Sequence, residues 1–298
     1  MTYDIIIIGG GPAGLTSAIY TARAGKKTLV VENYAIGGQA SLTHEVMNYP
    51  GIKSISGFEL TDNMRKQAES FGAEFVYDNI IKIDLMGGEK EIVTEYSGAY
   101  RASKVILAMG SKAKPLGLEG EAQLIGKGVS YCATCDGNFF KGKSVAVVGG
   151  GDTALIDALY LKELAKEVYI IHRRNEYRGS LILAEKVKNS SVKEILNSRI
   201  IKLNGSPLKS LTVQNNETNQ TFELEVEGLF VAVGSAPQTD LVKDVVRLED
   251  GYIVTDEEMR TNIKGVYAAG DVRKKTLRQI ITACADGAIA ATSALEER

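Results

Sequence analysis

Residues 4–14 read DIIIIGGGPAG, an isoleucine run that ends abruptly in glycine. The β-branched run predicts a buried strand, and the Leu, Ala, Ile and Tyr residues at helical spacing in 15–24 predict a helix directly after the glycines. A second apolar run at residues 28–31 ends at Glu32. The order strand, tight turn, helix, strand is typical of a dinucleotide-binding unit.

Each glycine of the turn has a distinct expected role. Gly9 allows the tight turn, Gly11 lets the backbone approach a pyrophosphate, and Gly14 lets the helix pack closely on the strand. The helix N-terminus offers N–H donors and a positive dipole end to the phosphates. Glu32 can accept hydrogen bonds from ribose hydroxyls, so this unit is predicted to bind a dinucleotide.

The same pattern recurs in the middle of the chain. An apolar run at 144–148 leads into GGGDTA at 149–154, then a helical stretch to about Ala165 and a strand at 168–171. The spacing from Gly9 to Glu32, repeated from Gly149, falls on His172. The second unit therefore lacks the acid that suits a free ribose.

Arginines take the place of that acid. Arg173, Arg174 and Arg178 follow the strand, and guanidinium groups suit the 2′-phosphate of NADP, which an acid would repel. The alternative is a solvated basic loop. The pattern predicts that the second unit binds NADPH.

Cys132-Ala133-Thr134-Cys135-Asp136 places two thiols at C-x-x-C spacing with a carboxylic acid immediately after them. The third cysteine, Cys284, leaves an odd number, which favours a catalytic or metal role for the close pair over a disulfide scaffold. Zinc would need further ligands, and the histidines are His44 and His172. A redox role is favoured, and Cys284 is expected to be a small buried side chain.

The bulk composition narrows the function classes. The chain has 298 residues and a formal net charge of -2, with acids and bases interspersed. It therefore lacks the stripe of basic residues that would bind nucleic acid or a membrane surface. The N-terminus lacks a basic region, and its apolar run is too short for a signal peptide or a membrane span. We expect a cytoplasmic protein.

Two glycine-terminated apolar runs indicate how the units are connected. Residues 104–110 and 228–237 each read as a strand stopped by glycine. We place the first domain at residues 1–112 and 240–298 and the second, inserted domain at 113–239. The expected class is α/β, with two Rossmann-like three-layer nucleotide-binding domains.

The C-terminal segment contains further candidate cofactor-binding residues of the first domain. A short strand at 265–269 ends in Gly270 and Asp271, whose carboxylate would suit a sugar-alcohol hydroxyl. Residues 278–287 read as a helix rich in small residues, and its N-terminus could face the polar edge of a flavin ring. Ordinary core packing is the alternative reading of this segment.

Together these motifs resemble those of low-molecular-weight thioredoxin reductases over essentially the whole chain. The resemblance also rests on Gly37-Gly38-Gln39, residues 48–51 and Arg278-Gln279. It implies FAD in the first domain, NADPH in the inserted domain, a redox disulfide carried by the inserted domain, thioredoxin or a related small redoxin as partner, and a homodimer.

The resemblance also assigns site residues. The implied flavin contacts are Gly9, Gly11, Pro12, Ala13, Gly14, Glu32, Gly38, Gln39, Asn48, Gly110, Asp271, Arg278, Gln279 and Ile280. The implied NADPH contacts are Gly151, Asp152, Thr153, Arg173, Arg174 and Arg178.

The same resemblance implies a different role for each cysteine of the pair. Cys135 is implied to face the flavin, and Cys132 to attack the disulfide of the protein substrate. Asp136 is the nearest candidate for the acid that manages the proton, and would need a raised pKa to serve near neutrality. A helix N-cap is the alternative role for Asp136.

Two residues depart from the family pattern, and three alternative functions stay open. Ile156 and Asp157 stand where the family commonly has adjacent glutamates, which bears on how the nicotinamide is seated. A flavin disulfide reductase could take electrons from another donor such as ferredoxin, or run backwards as a dithiol oxidase. An FAD-holding redox sensor without turnover is an alternative from another class.

Overall fold

The computed structural model describes residues 1–33, 36–43 and 46–297, so that His44 lies outside the described residues. The chain divides into two compact units. The first unit consists of Met1–Lys112 and Ala236–Arg298, and the second consists of Ala113–Ser235. The assignment of a nucleotide to each unit stays a prediction.

The elements of both units are as follows. The helices are α1 (Pro12–Arg23), α2 (Gly57–Ser70), α3 (Glu121–Leu124), α4 (Ala133–Asp136), α5 (Asp152–Leu161), α6 (Leu181–Lys188) and α7 (Ile280–Glu296), with 3-10 helices at Gly38–Leu42, Gly137–Phe140 and Gly270–Val272. The strands are β1 (Thr2–Ile8), β2 (Thr28–Glu32), β3 (Glu74–Tyr77), β4 (Ile80–Asp84), β5 (Lys90–Thr94), β6 (Ala99–Leu107), β7 (Ser111–Ala113), β8 (Val129–Ser130), β9 (Ser144–Gly149), β10 (Glu167–Ile171), β11 (Lys193–Ile195), β12 (Ser198–Asn204), β13 (Ser210–Asn215), β14 (Thr221–Glu225), β15 (Gly228–Ala232), β16 (Ser235–Pro237), β17 (Leu248–Glu249), β18 (Tyr252–Ile253) and β19 (Val266–Ala268).

The first unit is organised around the isoleucine strand β1. Its sheet has the order β3-β2-β1-β6-β5-β4, and β19 pairs with the far half of β6. Strands β1, β2, β3, β6 and β19 run parallel, whereas β5 is antiparallel to its neighbours. The parallel strands place the turn after β1 at their carboxyl ends, where open α/β sheets bind ligands.

The alternating side chains of β1 serve two different cores. Ile5 and Ile7 pack with the buried faces of α1, α2 and α7. Ile6 and Ile8 pack on the other face, with residues of β4–β6 and Val242. Because both faces of the strand are covered, the sequence reads as an unbroken apolar run and shows no alternation.

The second unit repeats the layered arrangement. Its parallel sheet has the order β11-β10-β9-β15-β8. Val145 and Val147 of β9 face α5 and α6, whereas Ala146 and Val148 face a separate antiparallel sheet of β12, β13 and β14. The α/β class and both strand–turn–helix–strand units predicted from sequence are confirmed.

Helix ends differ from the predicted ones. The helix α5 stops at Leu161, short of the predicted end near Ala165, where turn-type hydrogen bonds from the Glu163 amide to the Tyr160 carbonyl and from the Leu164 amide to the Leu161 carbonyl take over. The C-terminal helix α7 starts at Ile280, with Gln279 as its N-cap. Within the described ranges, no helix is both long and apolar enough to cross a membrane.

Candidate functional site

The first glycine turn is shaped by contacts that exclude side chains. Gly9 has φ +106°, and a Cβ there would lie 2.3 Å from the Ala108 carbonyl oxygen at the end of β6. A Cβ on Gly14 would lie 1.9 Å from the Gly9 oxygen, whereas one on Gly11 would meet nothing within 4 Å. The turn is therefore tight on its protein side and open at Gly11, where a phosphate could approach.

Glu32 lies at this turn although it is distant in sequence. Its Oε2 atom accepts a hydrogen bond from the Gly10 amide at 2.7 Å. The carbonyl of Gly10 in turn accepts from the Gly37 amide at 2.8 Å, which draws the 3-10 helix containing Gly38 and Gln39 to the turn. The sequence pattern predicts an acid at Glu32, but it does not predict the hydrogen bond between Glu32 and the Gly10 backbone amide.

The C-terminal segment meets the same turn. A Cβ on Gly270 would lie 2.8 Å from the Cβ of Ala13, and one on Gly287 would lie 2.2 Å from the Ala13 oxygen. Close packing of α7 and the Gly270 turn on the start of α1 thus places the residue before Asp271 against Ala13. The structure therefore joins candidates from both ends of the chain.

Two polar atoms near this junction are buried without a hydrogen-bond partner among the described residues: Asp271 Oδ1 and Arg278 Nε. Burial raises the pKa of Asp271, while the positive charges of Lys275 and Arg278 act in the opposite direction. Buried polar groups are normally paired, so these orphan atoms indicate a missing ligand with polar groups. A sugar-alcohol chain with hydroxyls fits Asp271, and the residues present fit FAD.

Three of the remaining flavin candidates, Asn48, Gln279 and Ile280, lie at the start of α7. The side-chain amide of Asn48 donates to Gln279 Oε1 at 3.0 Å, and Ile280 is the first residue of the helix. Gly110 follows β6, and its carbonyl accepts a hydrogen bond from the backbone amide of Gln238 at 3.0 Å. Gln238 was missed by the sequence reasoning because a lone glutamine after a strand carries no pattern.

The second glycine turn is closed from behind by His172, the residue that follows strand β10. The ring of His172 lies 2.1–2.5 Å from where a Cβ on Gly150 would be, so only glycine fits against the imidazole. The amides of Arg178 and Gly179 donate to the Gly150 oxygen at 2.6 and 3.0 Å. The arginine loop and the glycine turn are thus one assembly.

The face of this assembly away from the core is free for a nucleotide. Gly151, the N-cap of α5, has open space where a Cβ would be, and Asp152 and Thr153 are exposed beside it. Arg173, Arg174 and Arg178 are also exposed, and the carbonyls of Arg173 and Arg174 accept hydrogen bonds from Asn216 and Asn197. A fixed backbone with exposed guanidinium groups suits phosphate binding.

His172 is a buried residue that packs against Tyr177 behind the glycine turn. Its ring stacks on Tyr177 with centroids 5.7 Å apart, and its Nε2 atom is buried with no hydrogen-bond partner in the described part of the chain. Burial lowers the pKa of His172, and the charges of Arg174 and Arg173 lower it further. The imidazole therefore supports the turn in its neutral form near pH 7.

Cys132 and Cys135 form a disulfide with Cα atoms 5.3 Å apart. Cys132 is the N-cap of the single-turn helix α4 and Cys135 lies within that helix, and the Cys132 sulfur accepts from the Cys135 backbone amide at 3.2 Å. Both cysteines are half-buried, and the Thr134 hydroxyl lies 3.5 Å from the Cys132 sulfur. The pair is thus accessible and preorganised for thiol–disulfide exchange.

Asp136 is tied to the pair through Ser130. The Ser130 hydroxyl donates to Asp136 Oδ2 at 2.6 Å, and Ser130 Oγ accepts from the Cys132 backbone amide at 3.0 Å. Asp136 is the last residue of α4 and the N-cap residue of the 3-10 helix Gly137–Phe140, although its side chain makes no capping hydrogen bond there. Ser130, on the short strand β8, was missed by sequence reasoning because an isolated serine there has no distinctive spacing.

The helix after the second glycine turn packs against the cysteine helix. Ala133 of α4 lies in the core with Ala154 and Ala158 of α5. Burial alone raises the pKa of Asp157 to about 6, whereas Ile156 is 49% exposed. The two departures from the family pattern thus lie in different environments of one helix.

Comparisons with known proteins agree with this architecture. The family model described as pyridine nucleotide-disulphide oxidoreductase matches residues 3–287. A thioredoxin reductase of Peptoclostridium acidaminophilum is 48% identical, over 98% of this chain and 96% of the relative. A crystal structure of thioredoxin reductase from Streptococcus pyogenes superimposes with a TM-score of 0.91 at 41% identity, covering 99% and 97% of the two chains.

A third comparison bears on the electron donor. The structure of a ferredoxin-flavin thioredoxin reductase from Clostridium acetobutylicum is 36% identical, covers 99% and 97% of the two chains and has a TM-score of 0.53. These comparisons imply that the chain uses a flavin and a pyridine nucleotide. The chain belongs to the pyridine nucleotide-disulphide oxidoreductase family, as an oxidoreductase of the low-molecular-weight thioredoxin reductase type.

Proposed function

We propose that this protein is an NADPH-dependent thioredoxin reductase that holds FAD in its first unit and NADPH in its second. The observation that carries the proposal is in the second unit. There, a glycine turn backed by His172 and edged by three exposed arginines belongs to the same compact unit as the Cys132–Cys135 disulfide.

The first unit supports FAD through its own residues. The open position at Gly11 and the N-terminus of α1 would receive the pyrophosphate, and Glu32 would accept from the adenosine ribose. Asp271 would accept from a ribitol hydroxyl, which satisfies its buried Oδ1 atom. FAD bound there would accept a hydride from NADPH and pass two electrons to a disulfide.

The cysteine chemistry then follows from thiol exchange. Two electrons and two protons convert the Cys132–Cys135 disulfide into two thiols. The Cys132 thiolate attacks one sulfur of the partner's disulfide, and the Cys135 thiolate next attacks Cys132 in the mixed disulfide. The partner leaves as a dithiol, the Cys132–Cys135 bond forms again, and Asp136, held by Ser130, is the nearest group to manage a proton.

Thioredoxin or a related small redoxin is the proposed partner, supported by the relatives that carry that name. A ferredoxin-type donor is the second candidate, favoured by the similar ferredoxin-flavin structure. The exposed arginines favour NADPH, because reduced ferredoxin has no 2′-phosphate for them to bind. A cytoplasmic location and a homodimer stay predictions.

A trapping experiment tests the exchange step. With Cys135→Ser, the reduced protein should hold thioredoxin in a stable disulfide with Cys132, because the resolving thiol is absent. The matched variant Cys132→Ser should trap far less. Equal trapping by both variants, or none by either, contradicts the proposed roles.

A further inference from the structure

A cluster of buried charges lies beneath the Gly270 turn of the first unit. Asp286 of α7 is 7% exposed, and its carboxylate binds two cations. Its Oδ1 atom lies 2.9 Å from an Arg273 terminal nitrogen, and its Oδ2 atom lies 2.7 Å from Lys275 Nζ. The Oδ2 atom also accepts from the Gly270 amide at 3.0 Å.

The buried cluster around Asp286 holds more positive than negative charge. A buried charge is costly unless it is paired, and here two cations share one carboxylate. Asp271 is the next acid along the chain: burial raises the pKa of its carboxyl, Lys275 and Arg278 favour its charged form, and Asp286 opposes that form. Arg278 itself lies over the Tyr252 ring, 4.2 Å from its centroid.

The geometry fixes both ends of the turn that presents Asp271. Asp286 holds the Gly270 amide on one side and the Arg273 guanidinium on the other, and Arg273 Nε also donates to the Thr255 hydroxyl at 3.1 Å. The residue after Asp286, Gly287, packs directly on the Ala13 carbonyl. The turn is therefore set in position relative to the first glycine turn by α7.

We infer that Asp286 and Lys275 are positioning residues for Asp271: Asp286 holds its turn in place, and Lys275 favours its carboxylate as a charged acceptor for the hydroxyl of the flavin's sugar-alcohol chain. The inference rests on the proposed binding of FAD in this unit. It assigns both residues to flavin retention and neither to contact with the reacting atoms.

FAD release from the holoenzyme tests the inference through flavin fluorescence, which needs no turnover. Lys275→Met should raise the dissociation constant for FAD by about tenfold or more, since a charge-assisted interaction is lost. Lys275→Arg should restore binding to within about threefold. Lys274→Met is the matched control, because Lys274 is an exposed neighbour paired with Glu249, and it should bind FAD as the wild type does.

The pH dependence of FAD release separates positioning from general loosening. Affinity should fall as Asp271 becomes protonated. Lys275→Met removes a cation and should move that fall to higher pH, whereas Asp286→Asn removes an acid and should move it to lower pH. If Asp286→Asn does not fold, the comparison of Lys275→Met with Lys275→Arg decides the matter.

Unchanged FAD release in Lys275→Met, or pH shifts of the same sign in both variants, would overturn the inference. A wild-type protein that binds no FAD would overturn the proposed function as well, and this result appears before any variant is compared. Wild-type FAD binding with indifferent variants would leave the proposed function intact and refute the positioning role alone.

Discussion

Replacement of Arg173 and Arg174 by alanine should convert an NADPH-selective enzyme into one that hardly distinguishes NADPH from NADH. The structure shows why the two changes are local. Both side chains are exposed, while the backbone carbonyls of both residues are held by Asn216 and Asn197. The loop should keep its shape after both side chains are shortened.

The expected size follows from the contacts that are lost. A hydrogen bond to a charged group contributes about 1.5–3 kcal/mol, and the exposed setting places these at the lower end. Loss of two such interactions amounts to about 3 kcal/mol, or roughly a hundredfold in kcat/KM for NADPH. The value for NADH, which lacks the 2′-phosphate, should change by less than about twofold.

The assay is reduction of a thiol-reactive disulfide dye at saturating dye and varied nucleotide. Arg199→Ala is the matched control, because Arg199 is an exposed arginine of the same unit that binds Gln214 on the antiparallel sheet. The control should leave both nucleotides unaffected. Equal losses for NADPH and NADH in the double variant would refute the 2′-phosphate role.

Three further outcomes are expected. Gly14→Ala should weaken FAD binding by about tenfold or more, because its Cβ would lie 1.9 Å from the Gly9 oxygen and overpacking costs about 1–3 kcal/mol; unchanged flavin content on purification would contradict this. Asp157 has a pKa raised to about 6 by burial, so its contribution to stability is present below about pH 4 and is lost as pH rises through 6. Asp157→Asn should therefore unfold at a higher temperature than the wild type at pH 8 but not at pH 4, and a gain of equal size at both pH values would disprove the linkage. Burial raises the pKa of the Cys284 thiol, so this thiol should alkylate only after unfolding, as mass spectrometry of native and denatured protein can show; rapid native labelling at Cys284 would be inconsistent with the structure.

The two glycine turns show how much sequence alone can establish. Each follows an apolar strand and precedes a helix, and the structure confirms that order with a close approach behind Gly9 and Gly150. Such patterns are local, so residue spacing carries the information. The α/β class and the family resemblance follow from the order of these local patterns.

Other parts of the site depend on contacts distant in sequence. Nothing in the spacing of Ala13, Gly270 and Gly287 indicates that they meet, because close packing between α1 and α7 is decided by tertiary structure. Ser130 likewise gains its role from a fold that puts β8 beside α4. Isolated small polar residues of this kind have no periodicity to detect.

Anaerobic mixing with excess NADPH, followed by alkylation and mass spectrometry, tests the central claim most directly. The account predicts that the flavin absorbance bleaches and that new thiols appear at Cys132 and Cys135, whereas Cys132→Ser bleaches without such a thiol pair forming. A wild-type flavin that bleaches with dithionite but not with NADPH would contradict the account. So would bleaching by NADPH that leaves the Cys132–Cys135 disulfide intact.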